Sequence, residues 1–132
     1  MLTLLARTLA YIWALPASML GLLAGGLTLL TGGKGRWIDG TLEFWGGFSS
    51  WFLMHCMRGG GAMAMTLGHV IVGRNIAALQ ITRTHELVHV RQYERWGPFF
   101  IPVYLACSLI LWLCGKCAYR DNPFEREAFE RS

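Results

Sequence analysis

Residues 8–33 carry no charged side chain, and nothing else in this 132-residue chain restricts its fold so strongly. Residues 8–31 alone would form about 36 Å of helix, against a hydrocarbon core of roughly 30 Å. Pro16 is expected to kink that helix. Gly21, Gly25 and Gly26 give it a smooth face for close helix contact, which suits a homo-oligomer built through a Gly-rich anchor. The stretch is too long for a cleaved leader, and no A-x-A site follows it. The expectation is an uncleaved transmembrane anchor over residues 1–33 and one small domain over residues 34–132. Arg7 before the apolar stretch, with Lys34 and Arg36 after it, weakly favours a cytoplasmic main domain.

Composition points the same way. Hydrophobic residues make up 54% of the chain and charged ones 15%, where soluble domains usually carry about 25% charge. The surplus apolar surface needs a lipid bilayer or a partner to cover it. The 12 basic residues are scattered from Arg7 to Arg131 and give a net charge of +4. No Lys/Arg stripe forms, so nucleic acid is not expected as a partner. Cys56, Cys107, Cys114 and Cys117 are too few and too unevenly spaced for a disulfide scaffold. The C-x-x-C at Cys114 and Cys117 lacks a second pair or a βαβ context, and is left outside the candidate site.

Past the anchor the pattern changes. Gly46-Gly47 and Arg58-Gly59-Gly60-Gly61 divide the chain into runs at 37–45, 48–57 and 62–72, rich in aromatic and β-branched residues. A three-stranded antiparallel meander is the natural reading, although 48–57 suits a short helix equally well. Residues 82–96 have helical character, with Thr82 or Thr84 as N-cap and Gly97-Pro98 as the stop. In the apolar run 98–114, Pro102 leaves only residues 103–114 as uninterrupted helix. That is about 18 Å, too short to cross a bilayer, so a buried, re-entrant or interfacial helix is expected. Asn122-Pro123 then opens a last helix, with Asn122 as N-cap. The fold class is α+β.

The chemistry lies in His85-Glu86-Leu87-Val88-His89, an H-E-x-x-H motif. On a helix the two histidines share one face and can reach a single ion. Glu86 then lies beside that ion and can take a proton from a water whose pKa the metal lowers from 15.7 to about 7. Zn2+ suits imidazole with carboxylate, and a catalytic site keeps one position open. A further protein ligand is required. Gln92 and Arg95 stand where a metzincin would have Gly and His, so that class is excluded. His55 and His69 fall in the expected sheet and read as structural.

Here the chain resembles gluzincin metallopeptidases, in particular the integral-membrane gluzincins and the short minigluzincins. Their ligand helix carries Glu-x-x-Ala-Asp, and Glu125-Arg126-Glu127-Ala128 matches its first four positions. The resemblance covers about the last 50 residues. It implies a zinc-dependent peptidase acting on a peptide or protein substrate. His85, His89 and Glu125 would be the metal ligands and Glu86 the catalytic residue. Two features depart from the pattern. Phe129 occupies the place of the Asp that orients a ligand His, and Arg83 and Arg91 flank the motif where those families prefer uncharged residues.

Glu125 also lies at capping-box spacing from Asn122, and Glu127 is the alternative metal ligand, pointing about 200° away on a helix. Gln92 shares the face of His89 and can orient a ligand or substrate. Tyr104 and Tyr119 are candidates for stabilising an oxyanion. The run 62–72 resembles the edge strand with which gluzincins align a peptide. Shared coordination by His85, His89 and Glu125 also demands that residues 90–124 leave the site and return to it. A spanning helix at 98–114 would forbid that. A non-catalytic membrane protein with a structural metal, or with an assembly role, is the alternative reading.

Overall fold

The apolar N-terminus folds as two helices, α1 (Leu2–Trp13) and α2 (Leu15–Leu30), bent by 65°. They belong to a computed structural model that describes residues 2–55 and 62–132. Pro16 occupies the first turn of α2, where its missing N–H has no helical acceptor to lose. The bend therefore falls at Ala14, just before the proline. A single kinked helix over 8–31 is not what forms.

Ala17, Ser18, Gly21, Gly25 and Thr28 make the buried stripe of α2. A Cβ on Gly21 would collide with Val70, and one on Gly25 with the Phe44 ring. These two glycines therefore serve close packing of α2 on the chain's own sheet. Gly26 faces open space.

The sheet consists of two hairpins. β1 (Lys34–Ile38) and β2 (Thr41–Trp45) are joined by Asp39-Gly40. Both loop residues have positive φ, 51° and 79°, as the I′ turn of a two-residue hairpin requires. β3 (Ala64–Leu67) and β4 (Val70–Gly73) form the second hairpin. The strand order is β1-β2-β4-β3, with β2 and β4 parallel.

The expected three-stranded antiparallel meander is thus replaced by a mixed four-stranded sheet. Residues 47–55 form α3 (Gly47–His55) rather than a strand. Its buried residues Ser49 and Leu53 are four apart, the spacing of a helix face. The expected turn at Arg58 to Gly61, together with Cys56 and Met57, lies outside the described residues.

α4 (Ile76–Trp96) begins earlier than 82. Asn75 is extended and accepts a hydrogen bond from the Ala78 N–H at 2.8 Å, so it is the N-cap in place of Thr82 or Thr84. Ile71, Leu79 and Val90 pack α4 onto the sheet. Gly97, with φ 56°, ends it. A short 3-10 turn (Gly97–Phe99) leads into α5 (Phe100–Leu113). Pro102 is the third residue of α5, inside the first turn, where helices tolerate proline. The break expected at Pro102 is therefore at Gly97. α6 (Pro123–Arg131) has its cap at Asn122, as expected, with the Asn122 side chain accepting from the Phe124 N–H.

By length and composition one helical stretch, Ile76–Leu113, suffices to cross a membrane, and the bent α1–α2 pair passes the same measure. Gly97, with φ 56°, puts a turn in that stretch. The Phe100 ring lies 4.2 Å from the Tyr93 ring and 6.4 Å from that of His89. A straight helix would hold positions 89 and 100 roughly 16 Å apart.

Candidate metal centre

α4 carries His85 and His89 one turn apart, and α6 brings Glu125 against them. His85 Nε2 is 3.1 Å from Glu125 Oε2, and His89 Nε2 is 3.1 Å from Glu125 Oε1. The two Nε2 atoms are 3.3 Å apart. One ligand atom from each of the three residues falls within 4.8 Å of the others. His85 is 12% exposed at its side chain and Glu125 6%. This His85, His89 and Glu125 cluster can hold a metal ion.

Gln92 determines which atoms of His89 are available. Its Nε2 donates to the Phe124 carbonyl at 2.9 Å and to Glu127 Oε1 at 2.8 Å. Both partners accept only, so the amide oxygen must face the other way, toward His89 Nδ1 at 2.8 Å. His89 Nδ1 therefore carries the proton and donates it to Gln92. A neutral His89 thus presents a lone pair at Nε2, toward Glu125 and His85. Donor atoms from three groups converge on one point, and only a cation, proton or metal, satisfies them there. Two imidazole nitrogens and a carboxylate are a donor set that can hold a divalent metal ion.

Glu125 is an anion at neutral pH. Burial alone would raise its pKa, but hydrogen bonds from His85 and His89 outweigh that and hold it at about 2. Tyr104, on α5, donates to Glu125 Oε1 at 2.9 Å. The capping-box role for Glu125 is not what the side chain does; its oxygens are spent on His85, His89 and Tyr104. Glu127, the alternative ligand, lies outside the cluster. It accepts from Arg95 at 2.7 Å and from Gln92, which fastens α6 to the end of α4.

Glu86 is buried on the same helix. Thr66 of β3 donates to its Oε2 at 2.5 Å, and Tyr93 donates to the Thr66 carbonyl at 3.1 Å. Burial pushes the Glu86 carboxyl above its ordinary range, opposed by His89 and by the Thr66 hydroxyl. Thr66 and Glu86 are 20 positions apart, and no spacing rule links residues at that separation.

Phe129 takes the position expected of an orienting Asp. Its ring instead packs on His85, with centroids 4.5 Å apart, and Tyr119 meets it edge-on at 6.2 Å. The Arg83 departure has a structural explanation. Its guanidinium grips fully buried Glu43 of β2 through two bonds, at 2.9 and 3.0 Å, and Arg36 adds a third at 3.2 Å. Arg91 is exposed. His69 bonds Glu94 at 2.8 Å and stacks on Tyr11, and His55 turns back to the Trp51 carbonyl. Neither belongs to the cluster. Cys114 and Cys117 are exposed free cysteines.

Gln92→Leu removes the acceptor that fixes the His89 tautomer. It is expected to weaken zinc binding by about 10–100-fold, read by competition with a chromogenic chelator. Gln92→Glu keeps an acceptor there and is expected to lose less.

No protein-family model, curated protein or solved structure matches this chain.

Proposed function

We propose that the protein is a membrane-associated zinc metallopeptidase of gluzincin type, hydrolysing peptide bonds in polypeptides at or near a bilayer. The observation that supports this best is the convergence of His85, His89 and Glu125, with Glu86 buried on the same helix immediately after His85.

A zinc ion held by those three residues would supply Lewis-acid chemistry, bringing the pKa of a water from 15.7 to about 7. Glu86 is the general base for that water and then the acid that returns the proton to the departing amine. Its bond to Thr66 holds the carboxyl in one orientation. Tyr104 is committed to Glu125 and steadies that ligand. Tyr119, half exposed beside Phe129, also interacts with Glu125 and is the more exposed of the two tyrosines that could donate to a developing oxyanion. β3 is one of the two edge strands of the sheet, and its Thr66 touches the base. A substrate pairing with that edge would bring its backbone alongside Glu86.

The second reading is a non-catalytic metal staple between α4 and α6. It is favoured by the low exposure of the ligands and by Phe129 lying across His85. Incubating the purified protein with an unstructured polypeptide and with an apolar peptide bound to vesicles separates the two. Cleavage that stops on chelation and returns with added zinc is expected. Bound zinc with both substrates intact would leave the staple.

A further inference from the structure

We infer that the protein sits in a single leaflet of a lipid bilayer, held by α1, by the outer face of α2 and by α5, with none of these helices crossing it. This deepens the membrane part of the reading above and is independent of the chemistry at the ion.

Length is the first constraint. α1 has 12 residues, α2 has 16 and α5 has 14, which is about 18, 24 and 21 Å of helix, where a span needs roughly 30 Å. α5 runs on from α4, and Ile76–Leu113 as one straight helix would reach across, but the turn at Gly97 interrupts it. The 65° bend at Ala14 separates α1 from α2, and the turn at Gly97 brings the Phe100 ring within 6.4 Å of the His89 ring.

The packing of α2 gives the second. Gly21 touches Val70 of β4, Gly25 touches Phe44 of β2, and Gly33 just beyond the helix meets the Trp45 carbonyl. The sheet therefore accompanies α2 along its length. An open sheet has edge strands whose unpaired backbone groups cannot enter hydrocarbon. A transmembrane α2 would carry them there, so the helix lies along the boundary with the sheet on its aqueous side.

The outer surfaces are those of a lipid contact. Leu9, Leu23, Leu30, Leu109, Trp112 and Leu113 are all exposed, Leu30 at 84%. In α1 only Ala10 and Tyr11 are half-buried among the residues whose burial is described. A helix that short has little stability in water by itself. None of the three helices contains Asp or Glu, while Arg7, Lys34, Arg36, Lys116 and Arg120 lie on α1 or just beyond the ends of α2 and α5. An apolar face with a cationic border complements anionic headgroups over acyl chains. Because Tyr104 of α5 bonds Glu125, the metal centre would lie directly behind this lipid-facing surface.

The test is side-specific labelling with an impermeant maleimide in sealed membrane vesicles from expressing cells. Single reporters Arg7→Cys, Lys34→Cys, Arg91→Cys and Lys116→Cys are placed in a chain whose native cysteines are changed to Ser. A chain in which only Cys56 and Cys107 are changed to Ser provides a second reporter, because Cys114 and Cys117 are exposed at the end of α5. All positions are expected to label from one face, on protein that resists alkaline extraction. Arg7 and Lys34 on opposite faces, or Arg91 and Lys116 on opposite faces, would show a crossing helix and overturn the inference while leaving a membrane peptidase intact. A soluble protein whose apolar faces meet in a dimer would overturn both this inference and the membrane part of the proposed function.

Discussion

Glu86→Gln is expected to keep its zinc and to hydrolyse peptides roughly 10²–10⁴-fold more slowly, the usual contribution of a positioned general acid–base. Gln is nearly the same size, and its amide oxygen can still accept from Thr66, so the 2.5 Å contact has a replacement. The change also removes a buried carboxylate, which burial already disfavours as an anion. The melting temperature should therefore hold or rise. What the amide cannot do is accept a proton. Retained cleavage in this variant would remove Glu86 from the mechanism. A collapse of stability together with activity would make it a structural residue instead.

Glu125→Ala has the second large effect, and it is on the ion itself. Loss of an outer partner such as Gln92 weakens a metal site by about 10–100-fold. Loss of one of three direct ligands must exceed that, so the protein is expected to purify essentially without zinc and without hydrolytic activity. Tyr104 loses its acceptor as well. Glu127→Ala is the matched control. Glu127 lies two residues away and is joined to Arg95, whose side chain is 56% exposed, and such exposed pairs contribute about 0–1 kcal/mol. It should keep its zinc. Equal loss in the two variants would mean that α6 acts by packing and not through one carboxylate.

Local signals in the sequence were the most legible. The i, i+4 histidines and the Asn122-Pro123 start of α6 each depend on neighbours within one turn of chain, whereas the Asp39-Gly40 turn fell inside the run read as 37–45. Residues 90–124 were also readable as a segment that returns to its origin, although the interruption lies at Gly97 and not at Pro102. The reading failed where tertiary contact overrides local preference. Gly21 and Gly25 suggested a face for another helix, but Phe44 and Val70 cover them, and only the fold brings those residues there. The 48–57 run has no clear alternation, which left strand and short helix equally open, and burial of Ser49 and Leu53 on one face decides for the helix. Asn75 was overlooked as a cap because the first turns of α4 are apolar and lack the charges that mark the H-E-x-x-H segment. Thr66 and the Glu43–Arg83 pair join residues 20 and 40 positions apart, and no periodicity reaches that far.

The proposed chemistry requires one carboxylate and two imidazoles gathered around one divalent ion. X-ray absorption at the zinc edge of the purified protein tests this most directly. The expected inner shell is two imidazole nitrogens at about 2.0–2.1 Å and one or two oxygens at about 2.0–2.2 Å. Zinc bound through sulfur at about 2.3 Å would point to Cys114 and Cys117 instead. That result, or a protein that takes up no zinc at all, would contradict the site built on His85, His89 and Glu125.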